Sequence, residues 1–171
     1  MADRTYEGAE SRPVEVDFDP KEHLNFALRL KFFRGMHRKE VAHILKQGRL
    51  LEYPARSTIF HEGSQGENLF VVFDGRVNIY SAGAFIAVCR EGDVFGELSA
   101  LDHGVHSASA VANKETTLFT ISEQQLHDML GETFVARFLL NIIREVHGLL
   151  RQSNAEITRL RRELASKDEG A

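Results

Sequence analysis

Between Arg49 and Ile121 the chain breaks into short β-rich runs separated by glycine-bearing pairs, and no other feature constrains the fold as much. The runs are Leu50–Tyr53, Thr58–Phe60, Asn68–Phe73, Arg76–Tyr80, Ala84–Cys89, Ala108–Ala112 and Thr116–Ile121. Turn signals fall at Glu62-Gly63, Gln65-Gly66, Asp74-Gly75, Ala82-Gly83 and Glu91-Gly92. Strands this short and this evenly spaced predict an antiparallel sandwich or barrel. Asp74-Gly75 sits between two apolar runs, the signal for a two-residue hairpin with positive φ. Gly63, Gly66, Gly75, Gly92 and Gly96 are expected to take positive φ at barrel corners. No βαβ rhythm and no solenoid-length repeat is present.

Helical patterns flank this β region. Residues 1 to 19 are polar and acidic and read as a poorly ordered arm. From Lys21, Leu24, Leu28 and Phe32 share one helical face until Gly35 interrupts. A second short helix has Val41, Ile44 and Leu45 on its apolar side and Gly48 as its C-cap. Beyond the strands, Ser122-Glu123-Gln124-Gln125 fits a capping box opening a short helix to about Gly131. A domain over residues 20–132 is therefore expected, then a long helix over 133–167 and a tail at 168–171.

The long helix has a heptad code. Ile143, Leu150, Ile157 and Leu164 recur every seventh residue, and Val146, Ser153 and Leu160 fill the intermediate seam positions. This narrow stripe predicts a parallel homodimeric coiled coil, with Glu156 and Arg161 spaced for an interchain ion pair. The competing arrangement folds the stripe back on the chain's own domain. Arg159, Arg161 and Arg162 are interleaved with Glu156 and Glu163, as on a solvated helix face. Together with a net charge of −4, this argues against a whole-surface nucleic-acid binder.

The chemistry concentrates in Phe95-Gly96-Glu97-Leu98-Ser99-Ala100-Leu101 and in His106-Ser107-Ala108-Ser109-Ala110. A glycine turn here presents a carboxylate and several backbone N–H groups, an arrangement able to hold a hydroxyl and an anion together. With Ile59–Phe70, Val72–Val77 and Glu91–Leu98 in this order and spacing, the chain resembles the cyclic nucleotide-binding domain family. The resemblance implies an eight-stranded antiparallel β jelly-roll, cupin-like, with flanking helices and a long C-terminal helix. It implies a ligand site at Gly96, Glu97, Leu98, Ser99, His106, Ser107 and Ala108, with Ser153 or Asn154 of the long helix expected to reach the base. The ligand would be cAMP, cGMP or another cyclic nucleotide, and Glu97 would accept from the ribose 2′-hydroxyl. Where the family places an Arg for the cyclic phosphate, this chain has His106. An imidazole titrates near pH 6.5 and lacks the guanidinium's fixed charge and bidentate fork.

Two functions remain open on this reading. One is a sensor that binds the nucleotide weakly, or more tightly at acidic pH. The other is an adaptor with a degenerate pocket, working through protein contacts with an unidentified effector. A metal site at His103 and His106 with Asp102 and Glu97 is disfavoured, because the His-x-His pairing of metal cupins is missing. No Gly-x-Ser-x-Gly and no phosphate-loop motif occurs, so no enzyme is expected, and no resident cofactor. Only about seven residues follow Leu164, so no DNA-binding domain is expected on this chain. No apolar run approaches the ~20 residues of a membrane helix. No secretory signal opens the chain, and Cys89 is the single cysteine, which favours a cytoplasmic setting.

Overall fold

A computed structural model describes residues 12–97, 104–122, 124, 125, 140, 143, 146–148, 150, 151 and 153–162. The elements run β1 (Val14–Val16), α1 (Pro20–Ala27), a 3-10 turn (Lys31–Phe33), α2 (Arg38–Gln47) and β2 (Arg49–Tyr53). They continue with β3 (Thr58–Phe60), β4 (Asn68–Asp74), β5 (Arg76–Ser81), β6 (Ala84–Arg90), β7 (Val94–Phe95), β8 (Ser109–Ala112) and β9 (Thr116–Ser122). Two antiparallel sheets face each other, one ordered β1-β2-β9-β4-β7 and the other β3-β8-β5-β6. This is the jelly-roll expected, with nine strands rather than eight among the described residues.

The two strands outside the seven runs, β1 and β7, lie where local signals are weakest. Val14–Val16, inside the segment read as a poorly ordered arm, pairs antiparallel with β2, Val16 opposite Leu50. β7 is two residues long and pairs Phe95 with Phe70 and Val94 with Val71. A third departure concerns Asp74-Gly75, which forms no hairpin: β4 and β5 belong to different sheets. Gly75, at φ +108°, turns the chain from one sheet to the other, and a Cβ there would lie 2.4 Å from Thr116 Oγ1. The tight hairpin is instead β5–β6, closed by Ala82 at φ 48° and Gly83 at φ 76°. The Glu62 carboxylate accepts the Ala82 N–H at 2.8 Å and so holds this turn. Gly66 is not among the positive-φ glycines; it is buried.

β4 is buried on both faces, and its side chains alternate between two cores. Leu69, Val71 and Phe73 join a cluster with Leu24, Phe32, Phe33, Val41, Ile44, Leu45 and Phe119, the helical side. Phe70 and Val72 join Tyr53, Val77, Cys89, Phe95 and Leu118 between the sheets. Burying each such side chain contributes roughly 1.5–3 kcal/mol. α1 opens with Asp19 Oδ1 accepting the Lys21 N–H at 2.8 Å and Pro20 in the first turn. It ends at Ala27, so Leu24 and Phe32 do not share one helix as the spacing suggested; Phe32 is carried by the 3-10 turn. Gly48 does cap α2, but in extended conformation. Its lack of a side chain matters because a Cβ would sit 2.1 Å from Phe119 Cζ.

The capping box is formed as expected. Ser122 Oγ accepts the Gln125 N–H at 3.2 Å, and Gln125 Oε1 accepts the Ser122 N–H at 2.9 Å. Gln125 Nε2 also donates to Gln47 O at 2.5 Å, tying this turn to the end of α2. The short helix to Gly131 and the helix start near Thr133 lie outside the described residues. Residues 140, 143, 146–148, 150, 151 and 153–162 are helical. No helix among the described residues is long and apolar enough to cross a membrane.

Candidate ligand pocket

A pocket of about 740 Å³ opens between the barrel and the C-terminal helix. Its barrel walls come from Phe60 of β3, Ile79 of β5, Cys89 of β6 and Phe95 of β7, with Gly96 and Glu97 following. Val105, His106, Ser107 and Ala108 form a second edge, and Ser153, Glu156 and Ile157 close the mouth from the helix.

The β6–β7 turn that delivers Glu97 is held by several bonds. Gly92 N–H donates to Val72 O at 2.9 Å, and Val72 N–H donates to Asp93 O at 3.0 Å. Asp93 Oδ2 accepts the Arg90 N–H at 2.8 Å, while Oδ1 pairs with Lys31 Nζ at 2.8 Å. Gly96 then takes φ +76° against β4, where a Cβ would stand 3.0 Å from Asn68 O and 3.1 Å from the Phe70 ring. Both the turn and the close approach therefore require glycine. Only after it does the chain present the Glu97 carboxylate to the pocket.

His106 is placed by backbone pairing. Its N–H donates to Ser64 O at 2.9 Å and its carbonyl accepts the Gly63 N–H at 2.8 Å, beside a Gln65–Val105 bridge. The imidazole lies flat on Phe60, ring centroids 3.5 Å apart, and only 6 % of the residue is exposed. Phe60 in turn packs on Phe70 and Phe95 at 5.8 and 5.9 Å.

Burial shifts three of the titratable groups here. It raises the Glu97 pKa above the usual carboxylate value, partly offset by a backbone N–H bond. It lowers the His106 pKa, favouring the neutral ring. It pushes the Cys89 thiol up to about 12, with the charges of Asp93 and Glu97 acting in the same direction. Cys89 is thus an inert core thiol. Among the described residues no cluster of His, Cys, Asp and Glu could hold a metal ion.

The structure thus brings Gly96, Glu97, His106, Ser107, Ala108 and Ser153 around one pocket, while Leu98 and Ser99 lie outside the described residues. Ser109 accepts the Glu62 N–H through its hydroxyl oxygen at 2.9 Å. Phe60, Cys89 and Glu156 line the pocket without having been singled out for it. Glu156, read from its heptad position as an interchain partner, pairs with Arg159 of its own helix at 2.5 Å.

The heptad positions divide. Val146 packs against the helical core, and Ser153 and Ile157 line the pocket. Ile143, Leu150, Ile157 and Leu160 are 60, 56, 45 and 46 % exposed, and Leu140 beside them is 49 % exposed. Leu164 lies outside the described residues.

Comparison with known proteins supports the same assignment. Residues 50–133 match the family model described as the cyclic nucleotide-binding domain. The cyclic AMP receptor protein of Thermus thermophilus is 34% identical over 94 residues, which cover 52% of this chain and 44% of that protein. A crystal structure of the catabolite activator protein of the same organism superposes with a TM-score of 0.65 at 28% identity, covering 76% of this chain and 62% of that one. A cyclic nucleotide-binding domain from Methylobacillus flagellatus shares the fold, with a TM-score of 0.75 at 22% identity over 86% of this chain and 88% of that one. The chain spans less than half the length of the first curated relatives it matches.

Proposed function

The chain belongs to the cyclic nucleotide-binding domain family through residues 50–133, and on that premise we propose that it is a non-enzymatic regulatory sensor. Its pocket takes a nucleotide-type ligand, cAMP, cGMP or a related nucleotide, and its C-terminal helix carries the signal as a parallel homodimer in the cytoplasm. One observation supports this above the others: Glu97, held behind an obligatory glycine, shares a pocket with Ser153, Glu156 and Ile157 of the helix. A ligand seated on Glu97 would touch the helix directly, so its binding energy would bias the helix position. The exposed residues Ile143, Leu150 and Leu160 then supply the seam for a second copy.

Isothermal titration with cAMP, cGMP and cyclic dinucleotides at pH 6 and pH 7.5 tests the sensor. Heat that disappears in Glu97→Ala supports it. Silence at both pH values favours the second reading, an adaptor acting through protein contacts. That reading draws on a specific feature: among the described residues, the pocket is lined by no Lys or Arg.

A further inference from the structure

Among its described lining residues the pocket offers a phosphate no full positive charge. Glu97 and Glu156 are the charged groups among its described lining residues, and none is Lys or Arg. The sequence carries no Lys or Arg anywhere from Glu91 to Asn113. Arg159 is engaged by Glu156. His106, where the family has its Arg, is buried against Phe60, an apolar stack that favours the neutral ring. A phosphodiester is a full anion at neutral pH. On entering, it would lose water and meet the Glu97 carboxylate, with no Lys or Arg among the described lining residues to offset it.

The pocket offers something else. Its aromatic and aliphatic wall, including Phe60, Phe95 and Ile79, suits a flat uncharged ring system, and Glu97 provides an acceptor for hydroxyl groups. A free ribose presents adjacent 2′- and 3′-hydroxyls, and one carboxylate accepts from both. In a 3′,5′-cyclic phosphate the 3′-oxygen is esterified, so a single donor remains. The carboxylate therefore gains a bond, and the pocket loses a repulsion, when the phosphate is absent.

We propose that this pocket takes a neutral nucleoside, held by its vicinal diol on Glu97, in preference to the corresponding 3′,5′-cyclic nucleotide. The proposal rests on the reading of Glu97 as the ribose acceptor given above. His106 is then the residue that sets the ligand class, since a guanidinium in its place would restore the missing charge.

The test is calorimetric titration of the full chain at pH 7.5 with adenosine, guanosine, cytidine and uridine, each beside its 3′,5′-cyclic monophosphate. At least one nucleoside is expected to bind ten-fold or more tightly than its cyclic phosphate. Its 3′-deoxy analogue and the Glu97→Gln variant should each lose about ten-fold. In His106→Arg the order of the pair should invert. Circular dichroism confirms that each variant is folded. Cyclic nucleotides binding as tightly as their nucleosides would overturn the proposal and leave the sensor reading intact. Silence from every ribose compound, in a folded protein, would remove the ribose site itself and the proposal with it.

Discussion

His106 and Phe60 lie face to face, ring centroids 3.5 Å apart and planes inclined by 6°. Burial against this ring lowers the imidazole's pKa, so it resists protonation. On the reading of His106 as the phosphate residue, a cyclic nucleotide is expected to bind with uptake of a proton there. Burial sets that pKa below 6.5, so affinity is expected to stay low above pH 6.5 and to climb as the pH falls beneath it. His106→Arg supplies a permanent charge-assisted bond of about 1.5–3 kcal/mol, a gain of roughly ten- to a hundred-fold at neutral pH, and should abolish the pH dependence. Titrations with cAMP at pH 5.5, 6.5 and 7.5 read both effects.

Stability carries the same signature. His106 is protonated more readily in the unfolded chain than in the fold, because its folded pKa is lowered. Its contribution is thus complete above pH 6.5 and is lost as the pH falls through the folded value. Glu97, with its raised pKa, runs the other way: the fold favours the protonated acid, and that advantage fades as the pH rises through the raised value. Thermal melts of His106→Phe should show less acid destabilisation than the parent, and Glu97→Gln less loss as the pH rises through the raised carboxyl value. Parallel melting curves for parent and variants would contradict both assignments.

Two glycines separate steric need from backbone need. At Gly48 an added Cβ would stand 2.1 Å from Phe119 Cζ and 2.7 Å from Thr120 O, with no positive φ to accommodate. Gly48→Ala should cost about 1–3 kcal/mol by overpacking the helical core. At Gly35, φ is +77° and nothing lies within 4 Å, so Gly35→Ala should cost only the left-handed penalty of about 1–2 kcal/mol. If the added side chain is enlarged to Val, the loss should deepen at position 48 far more than at position 35. Denaturant titration of the four variants checks this.

Removing the chain after Gly148 should give a monomer by sedimentation, because Leu150, Ile157 and Leu160 leave with it. It should also weaken any ligand, because Ser153, Glu156 and Ile157 close the pocket. An unchanged sedimentation mass would refute the helical seam.

Much of this architecture was legible because strand patterning and glycine turns are local signals. Seven runs read from the sequence correspond to β2 to β6, β8 and β9 within a residue or two. What failed was decided by partners distant in sequence. β1 hides between Pro13 and an acidic segment, and only the edge of β2 makes it a strand. Asp74-Gly75 carries a hairpin signature, yet the two apolar faces of β4 commit it to one sheet, between β9 and β7, while β5 pairs in the other. At the site, Glu97 and His106 announced themselves by glycine context and by departure from the family pattern. The Phe60 stack and the place of Glu156 could not be read, since neither has a local periodicity that distinguishes it from core or solvated helix.

β4 behaves as a diaphragm between two chambers. On one side Phe70 touches both Phe60 and Phe95, the rings that border the pocket. On the other, its immediate neighbours Leu69 and Val71 pack in the chamber that also receives Val146. Interiors at this density do not absorb displacement. An occupant that wedges Phe60 away from Phe95 would press through β4 toward the cluster that receives Val146, so the C-terminal helix would sense the cargo there as well as at Ser153, Glu156 and Ile157.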